Sequence, residues 1–299
     1  RRPQMNCDVL MSLERVWSCD VYRAGDGVHR AWLERRARLA KPLRRVADAL
    51  NPKHLTMLRL EQSLFGRRAA KCVIANSNMV QTEITSTYDY PAAQIDLVHN
   101  GVPAEMFRPK SDLRAAERSR LELEPNDIAV LFVGSGWERK GLRFAVAAVE
   151  ACDDPRLQLL VAGRGSEARF RSPRVRFLGV SQNLPALFAA GDLFLLPTIY
   201  DPFSNASLEA LAAGLPVITT AANGCAEIMR AGIDGTVVEM PDDVRGLATA
   251  LMDWADETRR RETQTMRLEL ARHYDISVNV TRTLEILLQA AASAASTSG

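Results

Sequence analysis

Two carboxylates, Asp201 and Glu209, bracket the segment Asp201-Pro-Phe-Ser-Asn-Ala-Ser-Leu-Glu209. The apolar run Asp192-Leu-Phe-Leu-Leu-Pro197 reads as a buried strand and Ala206 to Ala213 as the following helix. Asp201 therefore falls in the connecting loop and Glu209 in the early helical turns. Carboxylates accept hydrogen bonds from ribose or sugar hydroxyls. Backbone N–H groups at the helix start, near Phe203, Ser204, Asn205 and Ala206, face a phosphate. The combination suits a nucleoside diphosphate sugar. In isolation, Asp201 would as readily form an Asx-type turn and Glu209 a solvated helical position, and it is the surrounding motif that favours binding.

A second set of groups follows another strand-like run. Gly134-Ser-Gly-Trp-Glu-Arg-Lys-Gly141 places Arg139 and Lys140 where two cations could meet a pyrophosphate and stabilise a departing anion. An Arg-Lys pair alone is ordinary surface charge; its place at a strand's carboxyl end raises the functional reading. Gly134, Ser135 and Gly179 fall in strand-end loops that line the same edge, as does Gly163-Arg-Gly165. None of these completes GxGxxG, and no GxxxxGK[ST] phosphate loop occurs. Asp26, in Ala24-Gly-Asp-Gly-Val28, would face the cleft from the first half of the chain or serve as a turn residue.

Neither His29, His54, His99 and His273 nor any Asp-x-Asp at a strand end offers metal-ligand spacing, so no metal is expected. Arg30 to Arg45 holds seven basic residues and one acidic residue, with Trp32, Leu39, Leu43, Val46 and Leu50 at roughly helical spacing and Pro42 splitting the segment. Such a surface can rest on anionic lipid or glycolipid. An ordinary helix with a basic solvent face explains it equally well. With one aromatic residue and no recognisable module, nucleic acid is not an expected partner.

The elements that must position these groups alternate along the chain. Strand-like runs occur at 9–12, 21–24, 72–75, 95–98, 128–133, 157–162, 175–178, 193–196, 217–219 and 236–239, separated by helix-like stretches. This β/α alternation predicts an α/β protein with parallel sheets covered by helices. Ligands of such sheets bind beyond the carboxyl ends of the strands. The polar stretch 108–126 separates two strand series, which gives a first domain at 1–110, a second at 111–285 and a frayed Ala/Ser-rich tail at 286–299.

The 299 residues, 47% of them apolar, suffice for two domains. The net charge of +2 conceals an asymmetry: residues 1–108 carry 17 Lys/Arg against 11 Asp/Glu, and the remainder 21 against 25. Five cysteines without CxxC pairing fit reduced thiols in the cytoplasm. No apolar run spans a membrane and no signal-peptide pattern opens the chain. The chain begins Arg-Arg-Pro without an initiator Met, and the strand-like 9–12 so close behind suggests missing N-terminal sequence.

These motifs resemble the retaining GT-B glycosyltransferases of family 4, most closely the lipopolysaccharide core enzymes that add glucose to heptose. The residues carrying the resemblance are Val73-Ile-Ala-Asn-Ser77, Val98-His-Asn-Gly-Val102, Phe107-Arg-Pro109, Phe132-Val-Gly134, Arg139-Lys-Gly141, Val175-Arg-Phe-Leu-Gly179, the 201–220 block and Asn223-Gly-Cys-Ala-Glu227. Asp20 to Asp26 and Tyr274 to Asn279 carry the core-transferase subtype.

The resemblance implies two Rossmann-like domains facing a cleft, the first incomplete here. It further implies a UDP-sugar donor substrate, no cofactor, a lipopolysaccharide inner-core acceptor, and a place in the cytoplasm or on the inner face of the inner membrane. By position Asp201 lies near the donor sugar and Glu209 at the ribose, with Arg139 and Lys140 on the phosphates. Ser135 stands where the family often has an arginine, and Arg139 is the substitute. Another GT-B transferase, a sugar-nucleotide epimerase of the same architecture and a nucleotide-binding fragment that transfers nothing are the alternatives.

Overall fold

A computed structural model describes residues 7–170 and 172–297. Cα packing divides the chain into two units. One comprises the residues through Asn100 together with those from Ser277 onward, the other Gly101–Ile276.

In the first unit, β1 (Met11–Ser12) and β2 (Cys19–Arg23) precede α1 (His29–Leu39), α2 (Pro42–Ala49) and α3 (Pro52–Glu61). β3 (Ala70–Ala75), α4 (Asn78–Tyr88) and β4 (Ile95–Leu97) follow. The four strands form one parallel sheet in the order β1-β2-β3-β4. Pro42 and Pro52 open α2 and α3 at the first turn, where a missing N–H costs nothing, so the basic run divides at Pro42 as its sequence requires. α4 starts where the Ser77 side chain accepts from the Val80 N–H and stops at Asp89, which takes a left-handed conformation at φ +51°.

The second unit contains α5 (Ala104–Phe107), α6 (Ser111–Arg120), β5 (Ile128–Val133), α7 (Trp137–Lys140), α8 (Leu142–Glu150), β6 (Leu157–Ala162) and β7 (Val175–Gly179). It continues through α9 (Leu184–Ala190), β8 (Leu193–Leu196), α10 (Asn205–Ala212), β9 (Val217–Thr220), β10 (Gly235–Val238), α11 (Val244–Ala255), α12 (Glu257–Glu262) and α13 (Gln264–His273). Its parallel sheet has the order β10-β9-β8-β5-β6-β7. Every residue of β5 is buried, as a central strand covered on both faces must be, and this accounts for its unbroken apolar run. Strand order reverses between β5 and β8, so the loops leaving these two strands diverge from a single switch point, the usual location of a ligand crevice.

The structure departs from the sequence reading at two boundaries. The junction expected at 110/111 falls between Asn100 and Gly101, because α5 packs into the second unit, where the Phe107 ring meets Phe188 edge-on at 5.5 Å. The charged stretch that looked like a linker is also tied there: Arg114 and Arg118 of α6 pair with Asp192 at 2.7 and 3.0 Å. The tail expected to fray from 286 instead continues α14 (Ile276–Thr297). Ile286, 2% exposed, anchors it against Val21, Ile74 and Val98, with Leu287 and Ala290 packed alongside.

Candidate functional site

The switch point joins the loop after β5 to the loop after β8. The one-turn helix α7 lies between Gly136 and Gly141, whose φ values of +73° and +78° suit glycine. Gly141 is further constrained, since a Cβ there would stand 1.8 Å from the Pro197 carbonyl oxygen. The Arg139 carbonyl accepts from the Ile199 N–H at 2.8 Å and from the Thr198 hydroxyl at 2.9 Å. The end of α7 is thereby bolted to the segment leading to Asp201, and Lys140 is set by backbone geometry.

The stem of Lys140 runs beside Gly134, and its ammonium donates to Asp201 Oδ2, with both side chains largely buried. Glu209, half-buried on α10, lies within the electrostatic reach of the same ammonium. Burial raises its carboxyl pKa above the ordinary glutamate value, and Lys140 opposes that shift. One cation thus serves two acids at a strand-to-helix junction.

The start of α10 is ordered by its own side chains. Ser204 Oγ accepts from the Ser207 N–H at 3.2 Å, and the Ser204 N–H donates to Asn223 Oδ1 at 3.2 Å. Ser204 is therefore committed to capping. Phe203 turns inward at 3% exposure, while Asn205 is exposed and Ala206 half-buried at the mouth of the helix. Of the four positions expected to face a phosphate, Ser204 thus has both its backbone N–H and its hydroxyl engaged within the protein.

Asn223 was not singled out as a site residue from sequence, although its place at a strand's carboxyl end beside a glycine was a usable signal. Its Oδ1 also accepts from the Cys225 N–H, and its Nδ2 donates to Ser207 Oγ and Thr219 Oγ1 at 3.1 and 3.0 Å. The Asp201 N–H donates to the Ala222 carbonyl, and the Asp201 carbonyl accepts from the Gly224 N–H, at 2.9 and 2.8 Å. The loops after β8 and β9 form one hydrogen-bonded block around Asp201.

The remaining expected residues divide by location. Ser135 Oγ accepts from the Arg164 N–H at 3.1 Å, joining the loops after β5 and β6. A Cβ on Gly163 would sit 2.1 Å from the Gly134 carbonyl oxygen, so these turns are glycine-rich for close packing. The Gly179 carbonyl accepts from the Gly163 N–H at 2.7 Å, and Gly179 itself borders open space. Arg139 supplies its carbonyl to the α7 lock and keeps a half-buried side chain. Asp26 belongs to the first unit, 61% exposed, with Arg15 Nη1 at 3.6 Å. Part of the basic run is structural: Arg35 pairs with Glu83 at 2.6 Å and Arg36 with Asp48 at 3.2 Å. Leu43, Val46 and Leu50 of the same region are exposed.

Among the described residues no group of three or more His, Cys, Asp or Glu side chains could hold a metal ion, and no helix is long and apolar enough to cross a membrane.

Comparisons with known proteins agree with this architecture. Residues 127–257 match the family described as Glycosyl transferases group 1, and residues 24–106 the one described as Glycosyltransferase Family 4. An uncharacterized glycosyltransferase of Methanocaldococcus jannaschii is 27% identical over 199 residues, covering 61% of this chain and 51% of that protein. D-inositol 3-phosphate glycosyltransferase of Mycobacterium sp. strain KMS is 29% identical over 220 residues, covering 67% and 47%. The chain spans about half the length of the curated relatives it matches. Among solved structures, WaaG, a glycosyltransferase involved in lipopolysaccharide biosynthesis, superposes with a TM-score of 0.81 at 21% identity, covering 94% of this chain and 78% of its own. Anabaena HepE in complex with UDP and glucose gives 0.71 at 23%, covering 90% and 77%. Two α/β units with parallel sheets, matched in this way, give the chain the GT-B fold.

Proposed function

We propose that this chain is a glycosyltransferase whose second unit binds the nucleotide-sugar donor. The observation that carries the reading is Lys140 paired with Asp201 at the switch point, with Glu209 of α10 within its electrostatic reach. Lys140 and Arg139 would receive the diphosphate, Glu209 the ribose hydroxyls and Asp201 the sugar, with the backbone at Asn205 and Ala206 on a phosphate. The matches to two glycosyltransferase family descriptions support the activity class.

The finer reading is a retaining transfer of a hexose, glucose by preference, from a UDP-sugar to a lipopolysaccharide inner-core heptose. It draws support from the fold neighbours: HepE was solved with UDP-glucose, and WaaG takes part in lipopolysaccharide biosynthesis. In this reading the acceptor oxygen bonds the anomeric carbon as its bond to the donor phosphate breaks, and the acceptor proton passes to the departing phosphate oxygen. No protein general base is assigned. Positioning and electrostatic stabilisation by Lys140 and Arg139 carry the catalysis. The basic run at residues 30–45 would rest on an anionic membrane surface.

Calorimetry with UDP tests the site. Lys140→Ala and Glu209→Ala should each weaken UDP binding by about tenfold or more. Unchanged affinity in both variants would remove the assignment. Transfer of glucose from UDP-glucose to heptose-terminated core, set against other UDP- and GDP-sugars, tests the finer reading.

A further inference from the structure

The carboxyl edge of the four-stranded sheet holds polar groups that the protein leaves incompletely satisfied. Arg23 ends β2 with its guanidinium half-buried, and Nη2 donates to the neutral Asn100 Oδ1 at 3.0 Å. Among the described residues no carboxylate pairs with it. Burial lowers its pKa from the ordinary arginine value with no neighbouring charge to oppose the shift. Just past the end of the adjacent strand β3, Asn76 is fully buried. Its Nδ2 donates to the Gly25 carbonyl at 3.2 Å, while its Oδ1 accepts from no group among the described residues.

These residues converge by topology. Arg23 lies opposite Ile74 in the β2–β3 ladder, two residues before Asn76, and Asn100 follows β4 on the other side of β3. The turn bearing Asn100 is braced from α14, where Asn279 Nδ2 donates to the His99 carbonyl at 2.5 Å. Other buried arginines of the molecule are satisfied internally: Arg15 by Glu61, Arg36 by Asp48, Arg267 by backbone carbonyls. A desolvated cation without a counter-charge costs stability unless something else supplies the anion. The carboxyl edge of a parallel sheet is where a ligand would do so.

We infer that this edge binds an anionic sugar, Arg23 pairing with its phosphate or carboxylate and Asn76 Oδ1 accepting from a hydroxyl directly or through one water. The inference rests on the glycosyltransferase reading, in which this ligand is part of the acceptor. Arg23 would then select acceptors that carry negative charge.

The test is calorimetry on the full chain with saturating UDP, which occupies the donor site, using glucose 6-phosphate, glucuronate and glucose as probes. Wild type should bind at least one anionic probe about tenfold or more tightly than glucose. Preference for the phosphate or for the carboxylate alone supports the inference and names the anion. Arg23→Gln should abolish the preference, and Arg23→Lys should keep part of it, with thermal melts near wild type and UDP affinity unchanged. Equal affinity for all three probes, no binding of any, or a preference that survives Arg23→Gln overturns the inference. Normal UDP binding alongside such a result leaves the transferase reading standing. Absent UDP binding sinks that reading, and the probe ratio and its Arg23 dependence are still read separately.

Discussion

At the carboxyl edge of the six-stranded sheet, Lys140 is paired with Asp201 and the Asn223 side chain makes four hydrogen bonds. At the same edge of the four-stranded sheet, Arg23 has one neutral partner and Asn76 leaves its oxygen unsatisfied. The first edge is organised by the protein's own groups, and under the proposed function a diphosphate would share Lys140 with the carboxylate paired to it. The second is left electrostatically open, so an incoming anion would gain a full charge-assisted contact. Internal satisfaction favours fixed geometry, and incompleteness favours selectivity for charge.

The largest expected effect contrasts Arg23 with the fully satisfied Arg267. Arg267 is wholly buried, with its pKa lowered to about 10 by burial, and it donates to the carbonyls of Gly214, Ile233 and Arg260 and to Thr263 Oγ1. Arg267→Met orphans several buried acceptors and should cost about 3 kcal/mol or more in urea unfolding.

Gly141→Ala comes next, at about 2 kcal/mol, because the new Cβ meets the Pro197 carbonyl at a left-handed φ. It should also weaken UDP binding by displacing Lys140. Gly235→Ala, with a comparable 1.8 Å clash against Val217 O, should destabilise similarly yet leave UDP affinity of the folded protein intact. Equal loss of binding in both would mean that the α7 lock has no special role.

Glu209→Gln should raise the melting temperature modestly at pH 7 while weakening UDP binding. The folded-state pKa of Glu209 is raised, so its contribution to stability is full below the unfolded value near 4.5 and is lost as pH rises through the folded value. Glutamine carries no such loss, so the advantage of the variant should grow from pH 4 toward pH 7. A pH-independent difference would contradict the burial of this carboxylate. The smallest effect is expected for Arg23→Met, within about 0.5 kcal/mol of wild type or above it, because little more than one neutral hydrogen bond is lost. A large destabilisation would make Arg23 structural and close the contrast with Arg267.

Much of this molecule was legible from local pattern. All ten expected strands are present with ends within two residues of those expected, and Pro42 divides the basic run. Continuous apolar runs and helix-opening prolines act over a few residues, so the chain states them directly. The boundary after Asn100 was not legible, because a charged, proline-containing stretch looks the same whether it links two units or packs against one through Phe107, Arg114 and Arg118.

The sequence by itself determined that strands alternate with helices, that Asp201, Arg139 and Lys140 follow strand ends and that Glu209 lies early in the next helix. Only the tertiary structure decided that Lys140 reaches Asp201, 61 residues away, that Ser135 spends its hydroxyl on the backbone of Arg164, and that no acid among the described residues pairs with Arg23. Secondary structure follows from short-range periodicity and capping. Which strand ends become neighbours follows from strand order, which the long-range packing of the whole sheet selects.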